Sequence, residues 1–340
     1  MLLTNGKTRF KLHLLLTVFL ILWFSTGLLS GQGPNKSCFV FDYAFQVKNI
    51  PAAANELQVW IPIPPQNEYQ KVELLESSGG KSFITTTDPK YKNKLYYTSI
   101  EPTTATMAFN LRYRVIRFEI PMTQKPMPIF PVALLEPPSA LDNFLRPNKQ
   151  VIINDTINLI ASTVTEGNFT TVEKAKAIYD YIFDNMSYDK SIPGWGDGNV
   201  ARACDIKTGN CTDFHSLFIS LCRASQIPAK FYMGVPFVKE TPQHTGYHCW
   251  AAFYDKNLGW IPVDISEAWK DPSLKEYYFG NLTDARIELT QGRDLVLEPR
   301  QKGDTLNYFV YPYVEIDGKP HDNVETKFGF QLSELQKINL

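Results

Sequence analysis

The sequence has no surplus of positive charge. Its 34 lysine and arginine residues are balanced by 35 aspartate and glutamate residues, which gives a net charge of −1. No run of basic residues and no interleaving of basic with aromatic residues stands out. Proteins that bind nucleic acid need a concentrated basic surface to neutralise phosphates. We therefore exclude nucleic acid as a partner.

Cysteine is scarce, with five residues in a chain of 340. An odd number cannot be paired completely within one exported chain, so one thiol stays free or pairs with another chain. The sequence does not choose among the possible disulfides of the four cysteines that lie outside the motif described below. The five residues are Cys38, Cys204, Cys211, Cys222 and Cys249.

Long apolar runs are also missing. The apolar run at 14–24 is short for a bilayer span, and it follows Lys7, Arg9 and Lys11. A basic start, a short apolar run and then small or polar residues are typical of a secretory signal peptide. We predict a cleaved signal peptide at residues 1–30, whose removal leaves a net charge of −4. The alternative is a retained membrane anchor, because no clear cleavage site follows the run.

A segment with period-two patterning follows the predicted signal peptide. Between residues 38 and 120, apolar residues alternate with other positions, and glycine-containing turns separate the runs. This pattern predicts a β-sandwich-like domain. The proline-rich segment 121–148 is predicted to be a linker, because proline interrupts helices and central strands. A second domain is predicted at 150–300, and a C-terminal β-extension packed on it at 301–340.

The second domain contains two predicted helices. Thr170 and Glu173 have the spacing of a capping box and begin a helix that we expect to end near Met186. A glycine-rich loop with Trp195 follows. Cys211 then lies in the first turn of the next helix, where unpaired N–H groups and the helix dipole favour a thiolate over a thiol. Catalysis by this thiol and simple packing are the two alternatives.

A β-hairpin follows, and its register decides which side chains meet. If residues 255–259 form a five-residue turn, Tyr254 faces Trp260. His248 and Asp264 are then diagonal neighbours on one face, within hydrogen-bonding reach. A four-residue turn would put them on opposite faces. Under the first register, the sequence brings together a thiol that attacks carbonyl carbon, an imidazole that transfers protons and a carboxylate that fixes the imidazole tautomer.

These motifs resemble the transglutaminase-like superfamily. The resemblance lies in the runs G-N-C-T-D-F-H-S-L-F-I-S-L-C-R-A-S-Q-I-P-A-K, H-C-W-A-A-F-Y and G-W-I-P-V-D, and it covers about residues 150–300. It implies an α+β, papain-like core with a Cys211–His248–Asp264 catalytic triad. By analogy with animal members, it also implies that Trp195 helps to hold the oxyanion. Gln226 departs from the family pattern, which commonly has glycine before Ile-Pro.

Four other residues are candidates for a place in the site. His215 and Cys249 could suggest a zinc site beside Cys211, but strand alternation should turn Cys249 away from His248. His244 would be the alternative base if the strand began earlier; otherwise it lies in a loop. Cys222 is expected to be a core residue. We therefore predict no metal and no cofactor.

Two functions remain open from the sequence. The first is an exported cysteine-dependent enzyme that acts on amide bonds of a protein or peptide substrate, cell-wall peptides included. It would form a thioester and pass the acyl group to water, as a peptidase or amidase, or to an amine, as an acyltransferase. The second is a catalytically silent scaffold that binds a peptide in the same cleft. A membrane is a partner only if the N-terminal segment is retained.

Overall fold

Strands with alternating burial build the N-terminal part of the chain. The computed structural model describes residues 35–80, 82–122, 138–237, 243–244 and 246–332. The predicted signal peptide therefore lies outside the described residues. In β1 the aromatic residues point inward at every second position, which is the pattern expected of a sandwich strand. The first six strands are β1 Lys36–Val47, β2 Leu57–Pro62, β3 Gln70–Ser78, β4 Ile84–Thr87, β5 Lys94–Ile100 and β6 Met107–Phe118.

Helices and strands are mixed in the remainder of the chain. The helices are α1 Pro138–Leu141, α2 Asp155–Val164, α3 Thr171–Asn185, α4 Val200–Ile206, α5 Cys211–Ala224 and α6 Ile265–Lys270, with 3₁₀ turns at Asp142–Phe144 and Pro272–Leu274. The strands are β7 Ser187–Tyr188, β8 Thr208–Gly209, β9 Ala229–Pro236, β10 Gln243–His244, β11 His248–Asp255, β12 Gly259–Val263, β13 Arg286–Gln291, β14 Tyr313–Ile316, β15 Lys319–Pro320 and β16 Val324–Leu332. The protein is therefore of the α+β class, as predicted.

Two five-stranded sheets contain the N-terminal strands. The first has the order β10-β16-β1-β6-β3 and the second the order β15-β14-β2-β5-β4. Strands from the C-terminal end of the chain thus lie beside strands from its beginning. β16 pairs with β1 from Phe39↔Leu332 to Val47↔Val324, and β14 pairs with β2. The C-terminal strands complete both sheets.

A third sheet carries the central helix. Its antiparallel order is β12-β11-β9-β13, and α5 packs against β11 and β9. Every residue of α5 from Cys211 to Arg223 is buried, so other elements surround this helix. One continuous apolar core joins the sandwich strands to α5 and the third sheet, and the described residues from Lys36 onward form one compact unit.

The helix α3 shows why these segments fold as they do. Thr170 accepts a hydrogen bond from the Glu173 N–H, and the Glu173 carboxylate accepts one from the Thr170 N–H, which confirms the predicted capping box. The helix ends at Asn185, with Met186 as its C-cap. None of the helices in the described part of the chain has the length and apolar character that crossing a bilayer requires.

Candidate active site

Local capping fixes Cys211 as the first residue of α5. The Asn210 side chain accepts from the Thr212 N–H at 2.8 Å, and the Asp213 carboxylate accepts from the Asn210 N–H at 2.9 Å. Gly209 leaves room for this arrangement, because a Cβ there would lie 2.2 Å from Asp213 Oδ2. The prediction that Cys211 begins a helix is confirmed. The apolar residues that recur at helical spacing after Cys211 are all buried: Phe214, Leu217, Phe218 and Leu221.

The same aspartate also holds the glycine-rich loop that contains Trp195. Asp213 is fully buried and accepts hydrogen bonds from the N–H groups of Gly196 at 2.8 Å and Gly198 at 3.2 Å. Arg293 holds the other side of the loop by donating to the Gly198 carbonyl at 3.5 Å. Burial raises the pKa of Asp213, although these bonds oppose the increase. The loop is therefore fixed to the helix that begins with Cys211.

The predicted hairpin register places His248 beside Asp264. Tyr254 pairs with Trp260, as predicted, but the turn is shorter than the five residues expected, because Asp255 pairs with Gly259 and only residues 256–258 lie between the strands. His248 Nε2 and Asp264 Oδ2 are 2.7 Å apart, and both side chains are buried. Another detail of the prediction was wrong: β12 ends at Val263, and Asp264 is the N-cap of α6 rather than a strand residue. The reason is that its carboxylate caps the first turn of α6 while it binds the imidazole.

Four hydrogen bonds fix the Asp264 carboxylate. Oδ2 accepts from His248 and from Arg286 Nη1, the latter at 2.8 Å. Oδ1 accepts from the Ser266 hydroxyl and from the Glu267 N–H, both at 3.1 Å. A buried carboxylate is costly unless its oxygens are paired, and here both oxygens are. The four hydrogen bonds together hold the Asp264 carboxylate in its orientation toward His248.

These contacts set the charges of the site. Burial alone would raise the pKa of the Asp264 carboxyl, but His248 and Arg286 hold it well below its usual range. Burial likewise lowers the pKa of His248, but Asp264 and Cys211 outweigh it and raise the value to about 9. A hydrogen bond with the Cys249 thiol, together with His248, holds the pKa of Cys211 well below its usual value against the effect of burial. The two shifts act in the same sense, because the lowered pKa favours the Cys211 thiolate and the raised pKa favours the His248 imidazolium.

A second buried histidine lies between the helix that begins with Cys211 and Asp264. His215 Nε2 accepts from the Ile265 N–H at 3.1 Å and lies 3.7 Å from Asp264 Oδ1, while Nδ1 lies 3.7 Å from Cys249 Sγ. Burial lowers the pKa of His215 to about 4, although Asp264 and Cys211 oppose this. His215 is therefore neutral at pH 7 and joins the two parts of the site without adding charge.

Comparison with known proteins agrees with this geometry. Residues 159–265 match the transglutaminase-like superfamily, and this range contains the helix of Cys211, the strand of His248 and Asp264. The match stops one residue after Asp264, so Arg286 and the C-terminal strands lie outside it.

The relatives found extend beyond this domain. An uncharacterized protein of Haemophilus influenzae is 24% identical over 316 residues, which cover 80% of this chain and 84% of the relative. A solved structure from Cytophaga hutchinsonii, described as a "Putative Cysteine Protease", matches with a TM-score of 0.57 and 18% identity over 90% of this chain and 93% of that one. The periplasmic domain of TgpA from Pseudomonas aeruginosa matches with a TM-score of 0.38 and 16% identity over 72% of this chain and 94% of that one. The Cytophaga hutchinsonii match shows that the fold of nearly the whole chain is shared.

Trp195 lies in the loop that Asp213 holds beside the start of α5. Its side chain is 39% exposed, and Lys190 Nζ lies 5.0 Å from the centre of its ring. The role of Trp195 at the oxyanion therefore stays a prediction. The neighbouring Gly196 faces the Tyr247 hydroxyl, because a Cβ at Gly196 would lie 3.6 Å from that oxygen.

Tyr247 is a residue of the site that sequence reasoning missed. Its hydroxyl lies 3.0 Å from both Asn210 Nδ2 and Thr212 Oγ1, so it contacts the residues on either side of Cys211. The sequence feature that could have pointed to Tyr247 is its position directly before His248, which puts its side chain near the start of β11.

The other residues considered have different positions. Cys249 contacts the Thr212 hydroxyl and His215 at 3.7 Å each, and the described residues contain no cluster that could hold a metal. His244 lies in β10, and its backbone pairs with Phe328 of β16 in the first sheet, so the prediction of a loop was wrong. Cys222 is buried in the core, as expected, and none of the five cysteines, all of which lie in the described part of the chain, forms a disulfide bond there.

Proposed function

We propose that the protein is an exported cysteine-dependent enzyme that acts on amide bonds through a thioester intermediate. The observation that carries the proposal is the Cys211–His248–Asp264 arrangement at the start of α5, with a lowered thiol pKa and a raised imidazole pKa. Shifts of this kind in a hydrogen-bonded cysteine and histidine are typical of activated nucleophiles. A scaffold protein would not need them.

The first half of the reaction forms the thioester. The Cys211 thiolate attacks the carbonyl carbon of the amide, and negative charge develops on the carbonyl oxygen. As the first residue of α5, Cys211 has an N–H without a partner inside the helix, and this group can donate to the oxyanion. We assign Trp195 as the second donor. The His248 imidazolium then gives its proton to the departing amine, which leaves Cys211 acylated.

The second half releases the acyl group. The now neutral His248 removes a proton from water or from an amine, which attacks the thioester carbonyl, and the Cys211 thiolate departs. Asp264 keeps the imidazole in the tautomer with Nδ1 free to serve Cys211, since Nε2 is bound to the carboxylate. Water gives hydrolysis, and an amine gives acyl transfer. The substrate class is a protein or peptide, cell-wall peptides included.

The proposal of export rests on the sequence. Lys7, Arg9 and Lys11 precede the apolar run 14–24, which is the composition of a signal peptide. Edman sequencing of the protein recovered outside the cytoplasm should give a first residue close to position 31. A protein that retained Met1 would support the anchor instead.

Alkylation followed by turnover tests the enzymatic proposal. At pH 7, iodoacetamide should label Cys211 faster than the other four cysteines, as measured by peptide mass spectrometry. Cys211→Ala should abolish cleavage or transfer of any peptide found by a mass-spectrometric screen of peptide, cell-wall and amine substrates. The matched control is Cys222→Ala, which removes a buried thiol from the same helix and should keep full turnover. Equal labelling of all five thiols would favour the scaffold.

A further inference from the structure

Arg286 reaches the proposed triad from the opposite edge of the third sheet. It lies on the edge strand β13, and the strands β9 and β11 separate it from β12, which leads to Asp264. Its Nη1 donates to Asp264 Oδ2 at 2.8 Å, the same oxygen that binds His248 Nε2 at 2.7 Å. The Arg286 side chain therefore extends across two strands and binds the same carboxylate oxygen that binds His248.

Neighbouring groups hold the guanidinium in this position. The Trp250 ring centre lies 5.1 Å from the guanidinium carbon, and Nη2 lies 3.4 Å from the Thr283 hydroxyl. Gly234 of β9 lets the backbone of β13 and the Trp250 ring lie close to β9, because a Cβ there would lie 2.0 Å from the Ile287 carbonyl oxygen and 3.0 Å from the Trp250 ring. The side chain of Arg286 is buried, so water does not screen its charge. A pre-organised cation thus faces the carboxylate.

We propose that Arg286 is a positioning residue of the triad, which holds Asp264 Oδ2 toward His248 and offsets part of the aspartate charge that His248 and Cys211 experience. The inference rests on the proposed function. Nothing in the sequence pattern around His248 and Asp264 points to Arg286, because it lies 22 residues beyond Asp264.

The charge of Arg286 has a defined effect on titration. The charged and titratable groups around His248 and Cys211 are Asp264 and Glu267 at the start of α6, His215 of α5, Cys249 of β11, Tyr188, Tyr247, and Arg286 through Asp264. Removing one positive charge from this set disfavours the thiolate and favours the imidazolium. The pKa values of both Cys211 and His248 should therefore rise.

The experiment compares the pH dependence of Cys211 alkylation by iodoacetamide in the full chain and its variants. The alkylation rate rises with pH as Cys211 loses its proton, and this rise is the acidic limb of the profile. In Arg286→Gln, the midpoint of the limb should lie about one pH unit higher. In Arg286→Lys, which keeps the charge but not the planar fork, the limb should stay in place while the rate falls several-fold. A thermal melt of each variant reports folding separately.

The matched control is Arg223→Gln. Arg223 is also buried and hydrogen-bonded, but it lies at the other end of α5, about 18 Å along the helix from Cys211. This variant should lose stability without any shift of the limb. A folded Arg286→Gln with an unchanged limb would overturn the inference. If that variant does not fold, Arg286→Lys decides: a lowered rate supports the inference, and a rate equal to that of the natural protein overturns it.

The two proposals fail in different ways. If Cys211 of the unmodified protein is alkylated no faster than Cys204, the proposed function itself is wrong. If Cys211 is preferentially alkylated but the limb of Arg286→Gln does not move, only the role of Arg286 is wrong.

Discussion

Asp264 has structural and chemical roles in the same carboxylate. Oδ1 caps the helix α6 through the Glu267 N–H, and Oδ2 receives His248 and Arg286. Loss of the cap alone costs about 1 kcal/mol. Loss of the charge leaves the Arg286 cation and the imidazolium without their shared counter-ion. A variant of Asp264 therefore changes stability and activity together, and variants of its partners are needed to separate the two.

At the residue scale, the ion pair of Cys211 and His248 predicts a characteristic dependence of stability on pH. The raised pKa of His248 stabilises the fold below pH 6.5, and this contribution is lost as the pH rises to about 9. The lowered pKa of Cys211 stabilises the fold above the ordinary thiol pKa of 9.0, and this contribution is lost as the pH falls. Between 6.5 and 9, the two contributions change with pH in opposite directions, so the slopes of the histidine and the cysteine oppose each other.

Replacing the thiol should remove this opposition. In Cys211→Ala, only the contribution of His248 to the free energy of unfolding still changes with pH. The free energy of unfolding of this variant should therefore fall relative to that of the natural protein as the pH rises above 6.5, by about 1–2 kcal/mol in all. Urea unfolding at pH 6, 7 and 8 measures the difference. Cys222→Ala should show a constant difference over the same range, because a buried neutral thiol does not titrate there. Parallel curves for Cys211→Ala and the natural protein would contradict the ion pair.

At the scale of elements, Asp213 connects the nucleophile helix to the loop of Trp195. Its carboxylate accepts from the N–H groups of Asn210, Gly196 and Gly198. In Asp213→Asn, the NH2 group of the new side chain faces N–H donors and cannot accept their hydrogen bonds. The variant should therefore lose about 2 kcal/mol of stability. Cys211 alkylation should slow by about tenfold, because the start of the helix is displaced.

The control for Asp213→Asn is another helix cap. Thr170→Ala removes the capping box of α3 and should cost about 1 kcal/mol while leaving Cys211 alkylation unchanged. Thermal melts and alkylation rates on both variants make the comparison. If Asp213→Asn slowed alkylation no more than Thr170→Ala, the link between the loop and the nucleophile would be only structural.

The hairpin shows how much of the site the sequence could predict. Apolar periodicity and the predicted centre of the turn give the pairing of Tyr254 with Trp260, and that pairing brings His248 to Asp264, although the turn itself is shorter than predicted. Arg286 was not predictable in this way. Its contact with Asp264 depends on the order of strands in the sheet, and periodicity gives the face of a strand but not its neighbours. His215 was visible as a helical neighbour of Cys211, but its neutral bridging role depends on burial.

At the scale of the whole molecule, the partners of the N-terminal strands come from the far end of the chain. The period-two pattern predicted strands between 38 and 120, and the structure contains them. The pattern could not show that β16 and β14 pair with β1 and β2. Long-range pairing is set by packing, which a single sequence does not display. The stability of the sandwich therefore depends on residues more than 200 positions away.

This pairing predicts that the C-terminal part does not fold alone. A chain that begins at Pro138 would lose β1, which pairs with nine residues of β16, and it would expose Phe237, whose ring stacks on Phe39 at 5.1 Å. It would also lose Tyr43, whose hydroxyl bonds the Val310 carbonyl. An unpaired β16 edge and an exposed apolar surface favour aggregation. The shortened chain should be aggregated in size-exclusion chromatography and show no cooperative melt, whereas a chain of residues 36–340 should be soluble and melt cooperatively. A monomeric, cooperative 138–340 chain that alkylates Cys211 at the full rate would show that the transglutaminase-like part is an independent domain.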